Sequence, residues 1–185
     1  MEAHPSPART RLFPVMAVFI VACVPRAEML QRSCSGGTLS DCVSLGDMYA
    51  AGRNVAKDGQ RAAELFKQGC DGGDMRGCDQ LARTYITGAG VPKDEARGAA
   101  LFKQMCDRGG MTGCAGLGEM YATGTGLPKD ETLAGALFEQ VCKSRSTISI
   151  VNGQPRPKDA AFITGCVSNL MDSARAHYPS GPAPR

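Results

Sequence analysis

Four cysteines, Cys34, Cys70, Cys106 and Cys142, stand 36 residues apart, and Cys42, Cys78 and Cys114 follow the first three by eight residues each. A period of this length marks an internal repeat, in which each unit is one supersecondary element that cannot bury its apolar face alone. The units run over residues 34–69, 70–105 and 106–141, with an irregular fourth over 142–178. Columns recur as Leu45/Leu81/Leu117, Tyr49/Tyr85/Tyr121, Gly52/Gly88/Gly124, Lys57-Asp58/Lys93-Asp94/Lys129-Asp130 and Leu65-Phe66/Leu101-Phe102/Leu137-Phe138.

Within a unit, Cys42, Leu45, Met48 and Tyr49 recur at offsets of three and four, which predicts one apolar stripe on a helix reaching about Ala51 and stopped by Gly52. Asp58, Asp94 and Asp130 then occupy an N-cap position, and Ala62, Leu65, Phe66 and Gly69 line a second helix that ends near the next cysteine. The expected fold class is all-α: helical hairpins stacked into a right-handed α/α solenoid with a thin continuous core. The Tyr column is expected in that core with satisfied hydroxyls. Met48, Met75, Met105, Met111 and Met120 read as gap-fillers.

Ten aromatics, no Trp, and thirty-four Gly and Pro among 185 residues argue against a large aromatic core, so something besides burial must hold the stack. Eight helical residues span about 12 Å, whereas disulfide Cα atoms lie about 4.4–6.8 Å apart. C-x7-C therefore cannot bridge along one helix, and the chain must turn between its cysteines. Gly36-Gly37, Gly72-Gly73 and Gly109-Gly110 supply that turn, giving Cys34–Cys42, Cys70–Cys78 and Cys106–Cys114. Cys142 and Cys166 pair by elimination, around a protruding loop at 146–158 that is rich in Gly, Pro and polar residues. In the chain-entropy model the four bonds contribute about 11 kcal/mol, comparable to the stability of a whole domain. Such cysteine usage points to an oxidising compartment.

The ninth cysteine belongs to the N-terminus. Arg9 and Arg11 precede an apolar run from Leu12 to Ala22, of signal-peptide length and too short to span a bilayer. The run ends Ile20-Val21-Ala22-Cys23, which resembles the lipobox of bacterial lipoproteins. The resemblance implies a signal peptide over 1–22, lipid on Cys23 holding the protein to a membrane, and a short tether over 23–27. The absence of Asp at Val24 implies sorting to the outer membrane, facing the periplasm; an ordinary signal peptide, leaving a periplasmic or secreted protein, is the alternative. Residues 28–178 form the expected solenoid and 179–185 a tail.

The pattern L-G-x-M-Y-x-x-G-x-G-[VL]-x-K-D-x-x-x-A-x-x-L-F-x-x-x-C resembles the Sel-one-like repeat family, and with C-x7-C it is similar to the disulfide-rich Hcp-type cysteine-rich subgroup. The likeness covers Ala27 to about Tyr178 and weakens in the fourth unit, where the insert and a missing second helix depart from it. It implies an interaction scaffold with another envelope or secreted protein as partner. It also raises two alternatives: a weak β-lactamase-like or penicillin-binding activity, with a β-lactam as ligand, and attachment to peptidoglycan.

Chemistry-bearing motifs are sparse. His177 is the only histidine after the expected signal peptide, so a Ser-His-Asp or Cys-His set would rest on it alone; it reads as an exposed helix-end residue near C-terminal carbonyls. S-x-x-K and K-T-G are absent, and one histidine builds neither H-x-H nor H-E-x-x-H. No catalytic residue, metal site or cofactor is expected. A net charge of +3, dispersed along the chain, gives no basic stripe for nucleic acid. A monomer is expected. Binding in a solenoid falls on positions that vary while the scaffold columns stay fixed. On the first helices these are Ser44/Gln80/Gly116 and Asp47/Arg83/Glu119, one exposed stripe if these helices face the concave side.

Overall fold

The three regular units each fold into two helices that pack on one another and on the next pair, in chain order. The computed structural model describes residues 26–145, 150–151, 154–155 and 160–177. Helix α1 (Arg26–Ser35) precedes the pairs α2 (Leu39–Ala51) and α3 (Gly59–Asp71), α4 (Met75–Thr87) and α5 (Glu95–Asp107), and α6 (Met111–Thr123) and α7 (Glu131–Arg145). Helix α8 (Ala160–His177) closes the stack on α6 and α7. The result is an α/α solenoid that, among the described residues, begins and ends in a single helix. α1 takes the place of a second helix, and it begins inside the stretch expected to be a tether. α8 takes the place of a first helix. Within the expected loop 146–158, strands β1 (Ile150–Val151) and β2 (Gln154–Pro155) pair antiparallel, Ile150 opposite Pro155. The expected signal peptide, Cys23, the rest of that loop and the tail lie outside the described residues.

The helix ends follow from the recurring columns. Gly52, Gly88 and Gly124 take left-handed backbone, and their N–H groups donate to the carbonyls of Met48, Thr84 and Met120. The N–H groups of Asp58, Asp94 and Asp130 then donate back to the carbonyls of Tyr49, Tyr85 and Tyr121, which closes the turn. Their carboxylates accept from Arg61 N–H, Arg97 N–H and, for Asp130, from Thr132 and Leu133 N–H. The Lys-Asp pair is thus a turn-and-cap device.

Four disulfides tie these pairs together. Cys34–Cys42, Cys70–Cys78 and Cys106–Cys114 bring their Cα atoms to 4.7, 4.4 and 4.5 Å, and Cys142–Cys166 to 6.1 Å. Only one glycine of each expected pair makes the turn. Gly37, Gly73 and Gly109 have φ of 97°, 96° and 82°, while the column of Gly36 and Gly72 accepts Arg108 in the third unit.

One core cluster runs through the middle of the stack from Val43 and Phe66 through Ile86 and Phe102 to Leu117 and Met120. Smaller clusters cap it, with Leu45 and Leu65 under α1 and Phe138 against Ala174 of α8. Phenylalanine rings wedge where the neighbouring helix has no side chain. A Cβ on Gly46 would lie 2.7 Å from the Phe66 ring, and one on Gly118 2.7 Å from Phe138. Successive units also meet through bare backbone at their turns. A Cβ on Gly90 would lie 2.1 Å from the carbonyl carbon of Gly59, and one on Gly126 2.6 Å from Glu95 Cβ. In the first unit the same column holds Asn54, which keeps a positive φ of 60°. The described chain begins only at Arg26, three residues after the position that would match Gly59 one repeat back.

These contacts make Gly90 and Gly73 unequal, although both have positive φ. An alanine at Gly73 meets nothing within 4 Å and costs only the left-handed strain of about 1–2 kcal/mol. Gly90→Ala must also push apart two turns, so its loss in chemical denaturation should exceed that of Gly73→Ala by about 1 kcal/mol or more. Equal losses would mean that the turns do not hold successive units together.

Candidate binding surfaces

The expected stripe on the first helices is only partly a free surface. Ser44, Asp47, Gln80 and Glu119 are half-buried and Arg83 is exposed, but Gly116 is buried: a Cβ there would lie 2.8 Å from the Phe102 ring. Gly116 is therefore a packing glycine rather than a surface position, and the row is interrupted in the third unit. The remaining charges are largely engaged with their own fold. Asp47 Oδ2 bridges to Arg76 at 3.2 Å, linking α2 to α4. Arg83 pairs with Asp79 at 3.1 Å and lies over the Phe102 ring, 5.9 Å from its centre, linking α4 to α5. Ser44 and Asp47 also line a cleft of about 250 Å³ with Arg26, Leu30 and Arg53, where α1 meets α2 and its following turn.

Burial pushes the Asp47 carboxyl above its ordinary pKa, against the opposing pull of Arg76 and Arg53. Its bridge is thus a positional link between first helices more than a source of stability.

The Tyr column corrects the sequence reading. Tyr49, Tyr85 and Tyr121 are half-buried at the edge of the core, and their hydroxyls accept or donate no hydrogen bond among the described residues. Tyr85 instead helps to line an open groove of about 490 Å³ between α3 and α5, with Leu81 beside it. The guanidinium of Arg97 covers the Tyr85 ring at 5.7 Å. Lys67 and Arg108 stand toward the disulfide end of the same groove. Leu81 and Tyr85 point about 100–200° around α4 from Gln80 and Arg83, so groove and stripe are separate surfaces. Sequence columns could have pointed to this groove: Arg97 becomes Leu133 and Arg108 becomes Ser144 one repeat on.

Among the described residues no cluster of His, Cys, Asp and Glu is arranged to hold a metal, and no helix is long and apolar enough to cross a membrane. His177 is the last residue of α8, and its side chain lies outside the described residues. Met48, Met105 and Met120 are buried in the core, with Met75 packed against it.

The Sel1 repeat model matches residues 42–74, 76–110 and 112–144, more than half of the chain. The chain belongs to the Sel1 repeat family. No curated protein matches it. Among solved structures, a Sel1 repeat protein from Oxalobacter formigenes is 22% identical over 78% of this chain and 96% of that one, with a TM-score of 0.56. The protective antigen c5321 of uropathogenic Escherichia coli, which displays the same repeat fold, is 23% identical over 82% of this chain and 35% of that one, with a TM-score of 0.62. Helicobacter pylori cysteine rich protein B is 23% identical over 63% of this chain and 89% of that one, with a TM-score of 0.49. Each Sel1 repeat here is one first helix and the second helix after it. Cys70 and Cys78 consequently lie in successive repeats, as do Cys106 and Cys114. Cys34–Cys42 binds α1 to the first repeat and Cys142–Cys166 binds the third to α8, so every described disulfide crosses a repeat boundary.

A carboxyl whose pKa is raised by folding favours the folded state below its unfolded pKa, and that contribution is lost as pH rises through the folded value. Ionised Asp47 is therefore no net help to folding at neutral pH. Asp47→Asn should leave the neutral-pH melting temperature unchanged or slightly higher, and should flatten the stability profile across the carboxylate range. A loss of about 1 kcal/mol or more at neutral pH would show instead that the Arg76 bridge outweighs burial.

Proposed function

We propose that this protein is an exported repeat scaffold that binds another protein in the bacterial cell envelope. The observation that carries the reading is a fixed backbone frame, repeated three times and clamped at each boundary, on which outward positions differ from unit to unit. Ser44 and Gln80 occupy one such column, and Asp47, Arg83 and Glu119 the next. Sel1 repeat proteins typically mediate protein–protein interaction, which agrees with that use of the frame. The disulfides support folding in an oxidising compartment. The Ile20-Val21-Ala22-Cys23 string supports a lipid on Cys23 and a position at the periplasmic side of the outer membrane. In this reading the first-helix stripe is the recognition surface, with Arg83 and Glu119 as its central charges.

Capture of partners from an envelope extract by the mature oxidised protein tests the proposal. A specific protein should be retained, and charge reversal at both Arg83 and Glu119 should release it. Retention that both reversals leave unchanged would remove the stripe. Nitrocefin turnover above that of an unrelated secreted protein would replace the scaffold reading with a hydrolytic one, and co-sedimentation with purified sacculi without any protein partner would replace it with peptidoglycan binding.

A further inference from the structure

The groove between α3 and α5 has features that the first-helix stripe lacks. It is open, its volume of about 490 Å³ is in the range of ligand clefts, and an aromatic ring and a leucine, Tyr85 and Leu81, line it. Three cations, Lys67, Arg97 and Arg108, border it against the single carboxylate of Asp71. Lys67 is paired with Asp71, both well exposed, and exposed Arg97 with half-buried Asp94, so the two cations sit in solvent where their pairs exchange readily for an incoming carboxylate. Arg108 has no ion-pair partner among the described residues. The turn can hold it because Gly109, the next residue, takes the positive φ.

The neighbouring spaces between second helices differ. Toward the N-terminus α1 covers the site: Leu65, in the column of Leu101, is only 4% exposed, whereas Leu101 remains half-buried. Toward the C-terminus the column of Arg97 becomes Leu133, which is 46% exposed. The column that gives the groove its Arg97 thus turns apolar and exposed one repeat along the stack. A surface that offers cations, an aromatic ring and then an exposed leucine suits a length of chain more than one small anion.

We propose that this groove docks an acidic segment of another protein, with carboxylates toward Arg97 and Arg108 and apolar side chains on Tyr85 and Leu133. The surface is separate from the first-helix stripe, and the proposal stands whether or not the stripe binds.

The test uses a fluorescein-labelled synthetic peptide of alternating Glu and Leu, and a Lys-Leu peptide of the same length, titrated against the full oxidised protein by fluorescence anisotropy. Saturable binding is expected for the Glu-Leu peptide alone, weakening as salt is raised. Arg108→Glu should weaken it about tenfold while leaving the helical circular dichroism intact, since Arg108 is exposed at a helix end and has no ion-pair partner among the described residues. Arg97→Glu should add to the loss, and Leu133→Ser should lower affinity without changing the salt dependence. Charge reversal at Arg83 and Glu119 should have no effect. Absence of binding, equal binding of the Lys-Leu peptide, or affinity unmoved by Arg108→Glu would overturn the proposal. A loss confined to the Arg83 and Glu119 variants would place the peptide on the stripe instead and leave the scaffold reading standing.

Discussion

The structure depends on covalent ties that cross repeat boundaries. A helical hairpin of thirteen-residue helices has too little apolar surface to stand alone, and in an ordinary solenoid neighbouring units hold one another by packing. Here the last turns of α1, α3 and α5 are each bonded to the first turn of the next helix, with the Cα atoms of these three regular pairs within 4.7 Å. The bond constrains both the spacing and the rotation of consecutive helices independently of side-chain packing. The fourth bond does the same for α8 across a much longer connection. What would otherwise be a series of weak interfaces becomes a set of short closed loops, and the unfolded chain loses entropy at every one of them.

Glycine serves the same end by a different route. Helices held this close leave no room for side chains at certain crossings, so Gly46, Gly116 and Gly118 admit the edges of Phe66, Phe102 and Phe138. Gly90 and Gly126 let one turn rest on the start of the preceding second helix. The few aromatics of the chain are thereby used at contacts between helices, and a thin core is continuous through α2 to α6. The surface charges are spent locally too: Asp47 reaches Arg76 between first helices, and Arg83 lies over Phe102 between a first helix and the second helix after it.

The repeat period, the turn aspartates and the cysteine spacing were legible in the sequence because each is a local rule. An Asp that caps its own helix needs only the backbone three residues on, and cysteines eight residues apart must meet through a turn. Features that depend on which neighbour covers a face were not legible. Gly116 sits in a surface column by sequence yet is filled by a ring from α5. The Tyr column carries apolar spacing and was expected inside, but the second helices leave a gap there and Tyr85 borders it. The start of α1 was missed because no earlier unit provides columns to compare with it. The third turn was expected to need both Gly109 and Gly110, and only the backbone angles show that Gly109 alone takes the left-handed conformation while Arg108 holds the column of Gly36 and Gly72.

Disulfides across repeat boundaries, and not packing alone, hold the solenoid. Helical circular dichroism of the mature protein at physiological temperature, with and without reductant, tests this most directly, after intact mass has confirmed that all eight paired cysteines are oxidised. The helical signal should collapse on reduction and return on reoxidation. A helical signal that survives full reduction, or free thiols at Cys70 and Cys78 in the folded protein, would contradict it.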